Sequence, residues 1–157
     1  MMQSSEKPFQ TFEDLVVYKS AREFRKAMYA VSRRLPAFEK FELASQIRRA
    51  SVSLTNNIAE GHGRWYFLDP IKFLLQARGS LEELLDDLNG CEDEKYLPDP
   101  EIRELKQRGY HVRKLINGYL RYLRDRKTGS SLLLKEESIP YGDADSALEQ
   151  WLAELPL

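Results

Sequence analysis

SQIRRASVSLTNNIAEG, residues 45–61, carries three separate residue stripes when laid on a helix. Positions three and four apart share a helix face, so Leu43, Ile47, Ala50 and Leu54 continue through Asn57 and Ile58 as one apolar seam. Gln46, Arg49, Ser53, Asn56 and Glu60 form a polar column beside it. Ser45, Val52, Thr55 and Ala59 make a third line of small or β-branched residues, interrupted by Arg48, along which another backbone can come close. A helix that faces water along most of its surface shows one apolar stripe and one broad charged face. This pattern predicts a helix packed on more than one side.

The flanking sequence supplies the neighbours. Upstream, Val17, Ala21, Phe24, Met28, Val31 and Leu35 recur at spacings of four and three, a heptad seam. Pro36 stops that helix, since proline lacks the amide hydrogen and clashes with the preceding turn. The connection from Ala37 to Lys40 is short enough to make the two helices antiparallel neighbours. Downstream, Gly61 and Gly63 read as glycines that close the helix in left-handed conformations. An aromatic run, Trp65-Tyr66-Phe67, follows Arg64, and Asp69-Pro70 opens a third helix as N-cap and first-turn proline. Its seam is Leu74, Ala77, Leu81, Leu84, Leu88 and Cys91. Gly79 lies away from that seam, and a mid-helix glycine costs ~1 kcal/mol relative to alanine, so it suggests a subunit interface where a second backbone packs. Asp99-Pro100 repeats the start signal for a fourth helix with the seam Ile102, Leu105, Gly109, Val112, Ile116, Tyr119 and Leu123.

The expected fold is therefore all-α: an up-down-up-down antiparallel four-helix bundle over residues 12–127, after a loose N-terminal arm at 1–11. From Thr128 a Gly- and Ser-containing linker leads to Asp143–Leu155, whose Ala144, Ala147, Leu148, Trp151, Leu152 and Leu155 share one side. This is a short extra amphipathic helix. It is marginal alone at this length and needs a surface to dock on, or else it is a disordered tail.

Composition narrows the function. With 31% charged and 42% apolar residues the chain has the balance of a soluble globular protein. No apolar run approaches the ~18 residues of a membrane span, and the N-terminus lacks a signal-peptide apolar region, so a cytoplasmic location with no membrane partner is expected. One cysteine, Cys91, and two histidines, His62 and His111, leave no disulfide and no zinc-ligand spacing. No metal or cofactor is expected, and Cys91 reads as a small buried hydrophobe. Ser51, Ser53, Glu60 and His62 are near one another in sequence, yet nucleophilic catalysis needs a base and an orienting acid converging on the nucleophile. The chain is not expected to be an enzyme.

The net charge of −1 conceals segregation. Residues 19–34 carry six basic side chains against one acidic, and residues 101–127 nine against three. Residues 80–101 carry nine acidic side chains against one lysine, and residues 128–157 six against one. Arg22, Arg25, Lys26, Arg33 and Arg34 on the first helix, and Arg113, Lys114, Arg121 and Arg124 with their neighbours on the fourth, are candidate phosphate contacts. Because those helices are adjacent in the bundle, their charge is expected to merge into one patch that binds nucleic acid without reading bases. Arg64, with Trp65 and Tyr66, either stacks on unpaired bases or staples two helices together. The alternatives for these cations are pairing with acidic faces of sister copies, or simply solvated helix faces. Arg49 and Glu60 are expected to find partners on a neighbouring helix or subunit, and Asn57 to fix register as a buried amide. The same polar column could instead line a groove or the lumen of a ring.

SQIRRASVSLTNNIAEG with Gly63-Arg64, and FLLQARGSLEEL at 73–84, resembles the bacterial four-helix-bundle family encoded in intervening sequences of 23S ribosomal RNA genes, also labelled S23 ribosomal proteins. Phe12 to Lys19 and the Leu35-Pro36 break are similar to that family's first helix and its end, so the resemblance covers roughly residues 11–125. Thr55 departs from it, standing where the family commonly has proline. A related branch serves the reverse transcriptases of diversity-generating retroelements as ring-shaped pentamers that contact RNA and polymerase. The resemblance thus implies self-association, with a pentamer as the specific expectation. The function expected is a non-enzymatic oligomeric adaptor for nucleic acid, RNA above DNA, and/or for a protein that handles it, such as a reverse transcriptase. The alternative is a purely protein–protein module that docks through its C-terminal helix, with Trp151 as anchor.

Overall fold

A computed structural model describes the backbone of residues 11–63 and 68–131, and the side chains of residues 11–63 and 70–125. Four helices follow one another: α1 Val16–Arg34, α2 Leu43–His62, α3 Leu68–Asp93 and α4 Asp99–Ser131. The entry to α1 is a 3-10 turn over Phe12–Asp14, closed by a capping box. Thr11 Oγ1 accepts the Glu13 amide at 3.3 Å, and Asp14 Oδ2 accepts the Thr11 amide at 3.0 Å. These bonds satisfy amides that have no partner inside the turn.

Helices adjacent in sequence pack on one another, and α4 closes the ring against α1. This is the four-helix bundle that the seams require. Val17, Ala21, Phe24, Met28 and Val31 of α1, Ile47, Ala50, Leu54 and Ile58 of α2, and Leu74, Ala77, Leu81, Leu84, Leu88 and Cys91 of α3 meet in one core. Helix α2 touches both α1 and α3, which is why Ser51 and Thr55, off its main seam, are also buried. In α4 the seam runs from Ile116 to Leu120 and Leu123, and Tyr119 is only partly buried. A step of four then three serves the geometry as well as three then four, and leucine brings no hydroxyl that needs a partner inside.

Several local expectations are corrected. Among the described residues no glycine takes a positive φ. Gly61 is helical, and a Cβ there would lie 3.0 Å from Phe73 Cβ and 3.3 Å from the Pro70 carbonyl oxygen. Its role is close approach of α3, not left-handed backbone. The left-handed residue is Lys95, at φ 55°. It ends α3 in a Schellman motif, with the Lys95 amide on Glu92 O at 3.1 Å and the Tyr96 amide on Cys91 O at 2.9 Å. Helix α3 begins at Leu68, so Pro70 sits within its first turn, where a missing amide leaves no bond unmade. Helix α4 continues to Ser131, through the expected linker start at Thr128, because one glycine weakens a helix without ending it. Arg64, the aromatic run 65–67, residues 1–10 of the N-terminal arm and the C-terminal amphipathic helix with Trp151 lie outside the described residues. No described helix is long and apolar enough to cross a membrane.

Candidate nucleic-acid interface

The core seam of α1 is flanked on the side of α2 by cations at helical spacing. Arg25, Tyr29 and Arg33 are four apart in turn, with Arg22 and Lys26 one turn from one another beside them. Arg25, Lys26, Tyr29 and Arg33 line a groove of about 510 Å³, with Val52 of α2 as its apolar wall. Thr55 positions the first of them: Arg25 Nη1 donates to Thr55 Oγ1 at 2.8 Å. The Thr55 hydroxyl also reaches the Val52 carbonyl at 3.3 Å within an unbroken α2. The Arg33 guanidinium stands 6.0 Å from the centre of the Tyr29 ring. Lys26 pairs with Glu23 at 3.2 Å, with both side chains more than half exposed, so the pair is screened and weak. Among the described residues no carboxylate lines this groove.

The other cations are differently employed. Arg34 lies on the flank facing α4 and forms a bidentate pair with Glu101, with Nη2 on Oε2 at 3.0 Å. That hydrogen bond holds the Glu101 carboxyl below its ordinary range and raises Arg34. The α1/α4 groove, of about 300 Å³, sets Glu23 and Glu104 among Arg108 and His111. On the α1/α4 flank Arg34 and Arg108 reach across from the two helices but stand among Glu23, Glu101 and Glu104, whereas Arg25 and Arg33 line the α2 flank, so the cations of this shared flank are mixed with carboxylates. Arg113 turns toward α3, donating to Glu82 at 3.1 Å and covering the Tyr110 ring at 4.9 Å. Lys106 meets Glu92 at 2.9 Å, and Arg124 meets Asp125 at 3.5 Å. Lys114 and Arg121 are exposed, as is Arg22.

The polar column of α2 faces α3. Gln46, Arg49 and Ser53 line a groove of about 500 Å³ opposite Ser80, Glu83, Asp86 and Asp87. Ser53 and Ser80 hydroxyls share a hydrogen bond at 2.7 Å. Asn57 Nδ2 donates back to Ser53 O at 2.8 Å and Ser53 Oγ at 3.1 Å, so this amide is satisfied on its own helix rather than across the core. Burial, with Glu83 and Asp86 adding like charge, pushes the Asp87 carboxyl up to about 6. Arg49 makes no ion pair among the described residues, and Glu60 is exposed. Ser53 Oγ shares its hydrogen bonds with the Ser80 hydroxyl and the Asn57 amide. Ser51 is buried with its hydroxyl unpartnered. Burial pushes the Cys91 thiol up to about 11, which leaves it inert at neutral pH. No cluster of three metal-ligating side chains occurs among the described residues.

Residues 13–118 match the sequence model of the family described as 23S rRNA-intervening sequence protein. The chain belongs to this family. The match takes in α1 and α2 whole and α3 with most of α4, so the α1/α2 groove lies within the shared region. The match stops short of Arg121 and Arg124. Comparison with curated proteins returns no match.

Of the candidate phosphate contacts, Arg25, Lys26 and Arg33 come together and Arg22 lies beside them, while Lys26, Arg34, Arg113 and Arg124 each meet a carboxylate. Gly79 is exposed with open space around it, as the sequence pattern predicts for a residue opposite the seam. Tyr29 and Val52 were not anticipated in the site. Tyr29 was legible in its spacing of four from both Arg25 and Arg33, whereas Val52 enters only through the docking of α2.

Proposed function

We propose that this protein is a non-enzymatic nucleic-acid adaptor whose ligand is RNA and whose phosphate-binding surface is the α1/α2 groove. The observation that carries the reading is that Arg25, Lys26 and Arg33 line one groove with Tyr29, and that among the described residues no carboxylate lines it. Such a surface binds backbone phosphates and releases counterions, with a ring available for stacking. Copies associate through the outer face of α3 at Gly79 into a cytoplasmic ring, a pentamer by the family resemblance, that presents RNA to a protein partner such as a reverse transcriptase. A purely protein-binding module is the second reading. The carboxylates of the α2/α3 groove favour it, since a cationic partner surface would fit them.

The test is binding of a labelled structured RNA across a salt series by wild type and by the triple variant Arg25→Gln, Lys26→Gln, Arg33→Gln. Loss of three phosphate contacts makes the slope of log affinity against log salt shallower by about 2 to 3. Lys114→Gln with Arg121→Gln leaves it unchanged. Equal losses in the two variants would sink the assignment to this groove, and no wild-type binding at low salt would sink the RNA reading.

A further inference from the structure

The connection between α1 and α2 carries two phenylalanines that the described bundle leaves uncovered: Phe38 is 71% exposed and Phe41 79%. Single exposed apolar side chains are ordinary, but the turn bearing these two is clamped from several directions. A 3-10 turn spans Ala37–Glu39. The two carboxylate oxygens of Glu39 accept the Leu43 amide at 3.0 Å and the Tyr96 hydroxyl at 2.8 Å. Arg48 Nη2 donates to the Lys40 carbonyl at 3.0 Å, and the Tyr96 ring meets Phe38 edge-on at 6.4 Å. The turn is thus tied to α2 and to the α3–α4 connection, and the rings stay outward.

Cations stand beside Phe41, while Glu39 and Glu94 lie near Tyr96 on the Phe38 side. Lys40 Nζ stands 5.4 Å from the centre of the Phe41 ring, Arg48 is close enough to hold the Lys40 carbonyl, and Arg33 occupies the last turn of α1 at the same end. Glu39 is turned to its two donors, leaving Glu42 as the exposed carboxylate of the connection. The patch also continues the α1/α2 groove: Arg25 and Arg33 are ~12 Å apart along α1 at the helical rise per residue, and the connection begins immediately beyond. An apolar ring beside cations, in line with a phosphate-binding groove, suits a ligand that offers a flat π face next to a negative charge.

We propose that this end of the bundle is a stacking platform for unpaired RNA bases, with Phe38 and Phe41 as the rings and Lys40 and Arg48 on the adjoining phosphates. The proposal rests on the α1/α2 groove as the RNA surface and narrows its ligand to RNA that runs out into single strand, the form whose bases are free to stack. Stacking on phenylalanine reads no sequence, so the platform selects structure.

A blunt RNA hairpin and the same hairpin with a single-stranded extension are titrated against full-length wild type, Phe41→Ala, Phe41→Leu and Phe41→Trp. Wild type prefers the extended RNA. Phe41→Ala weakens binding of the extended RNA about tenfold, the loss of one base–aromatic stack, and leaves the blunt hairpin unchanged. Phe41→Trp retains the preference, and Phe41→Leu behaves as alanine does. Wild type binding both RNAs equally, or leucine serving as well as phenylalanine, overturns the platform and leaves the groove standing, the latter result marking an apolar protein contact instead. Absence of wild-type binding to either RNA removes the groove and the platform together.

Discussion

Alanine at Gly61 is expected to destabilise the bundle although it favours the helix. Replacing a helical glycine by alanine gains ~0.5–1 kcal/mol from backbone entropy. Against that, the new Cβ would lie 3.0 Å from Phe73 Cβ, 3.3 Å from the Pro70 carbonyl oxygen and 3.5 Å from Pro70 Cα. None of these atoms can rotate away, because two are backbone and the third is fixed to it. Helix α3 must retreat from α2 at this point, and overpacking of this kind costs ~1–3 kcal/mol, leaving a net loss of up to ~2.5 kcal/mol. Gly118 in α4 is the control, with no described atom within 4 Å of where a Cβ would lie, so alanine there keeps the whole ~0.5–1 kcal/mol gain. At ~2–4 °C per kcal/mol for a domain of this size, the two variants should melt several degrees apart on opposite sides of wild type. Circular dichroism melts at one protein concentration measure this. Gly61→Ala melting at or above Gly118→Ala would refute the claim that the glycine exists for helix approach.

Gly79→Leu should lower the native mass measured by light scattering while leaving the helical signal intact, and an unchanged mass would remove the interface from that face of α3. The Asp87 carboxyl titrates near 6 in the fold against an ordinary 3.8, so the native state prefers it protonated. Its favourable contribution is whole below about pH 4 and lost as pH rises through about 6. Asp87→Asn should therefore melt above wild type at pH 7 and lose that advantage at pH 4, and a gap independent of pH would contradict the burial argument.

The helical seams were legible because burial in a bundle is periodic and periodicity is local. Those of α1, α2 and α3 follow from spacing, down to Cys91 as a core residue. What escaped depended on facts that the chain states only after docking. Gly61 and Gly63 carry the composition of a left-handed helix end, but whether a glycine serves conformation or close approach depends on what stands opposite, here Phe73 and Pro70. The left-handed residue is Lys95, a type with no preference for that region, so nothing in its identity pointed there. The cations present the same difficulty at larger scale. Their flank relative to the core seam is fixed by helical steps, but which helix that flank faces depends on the sense in which the bundle turns. Arg34 and Arg113 consequently met Glu101 and Glu82, while Arg25, Lys26 and Arg33 lined a groove to which no described carboxylate contributes. Phe38 and Phe41 sit in a connection with no period at all.

A net charge of −1 argues against phosphate binding only if charge is spread evenly, and here it is not. Helix α1 packs on α2 and α4, and α3 packs on the same two, so α1 and α3 stand on a diagonal of the bundle. Neighbouring axes lie ~8–10 Å apart, which puts the diagonal at roughly 13 Å, beyond the ~8 Å over which charges act at physiological ionic strength. Part of the acidity of α3 is in any case consumed locally, by Lys106 on Glu92 and Arg113 on Glu82. A phosphate at Arg25 and Arg33 therefore meets the cations of α1 with little opposition from α3. At ~0.01 M salt the screening length grows to about 30 Å, every carboxylate of the bundle is felt, and the advantage of segregation shrinks. Affinity should then gain less from falling salt than the number of contacts alone implies. The salt slope of the groove is accordingly best read near physiological ionic strength.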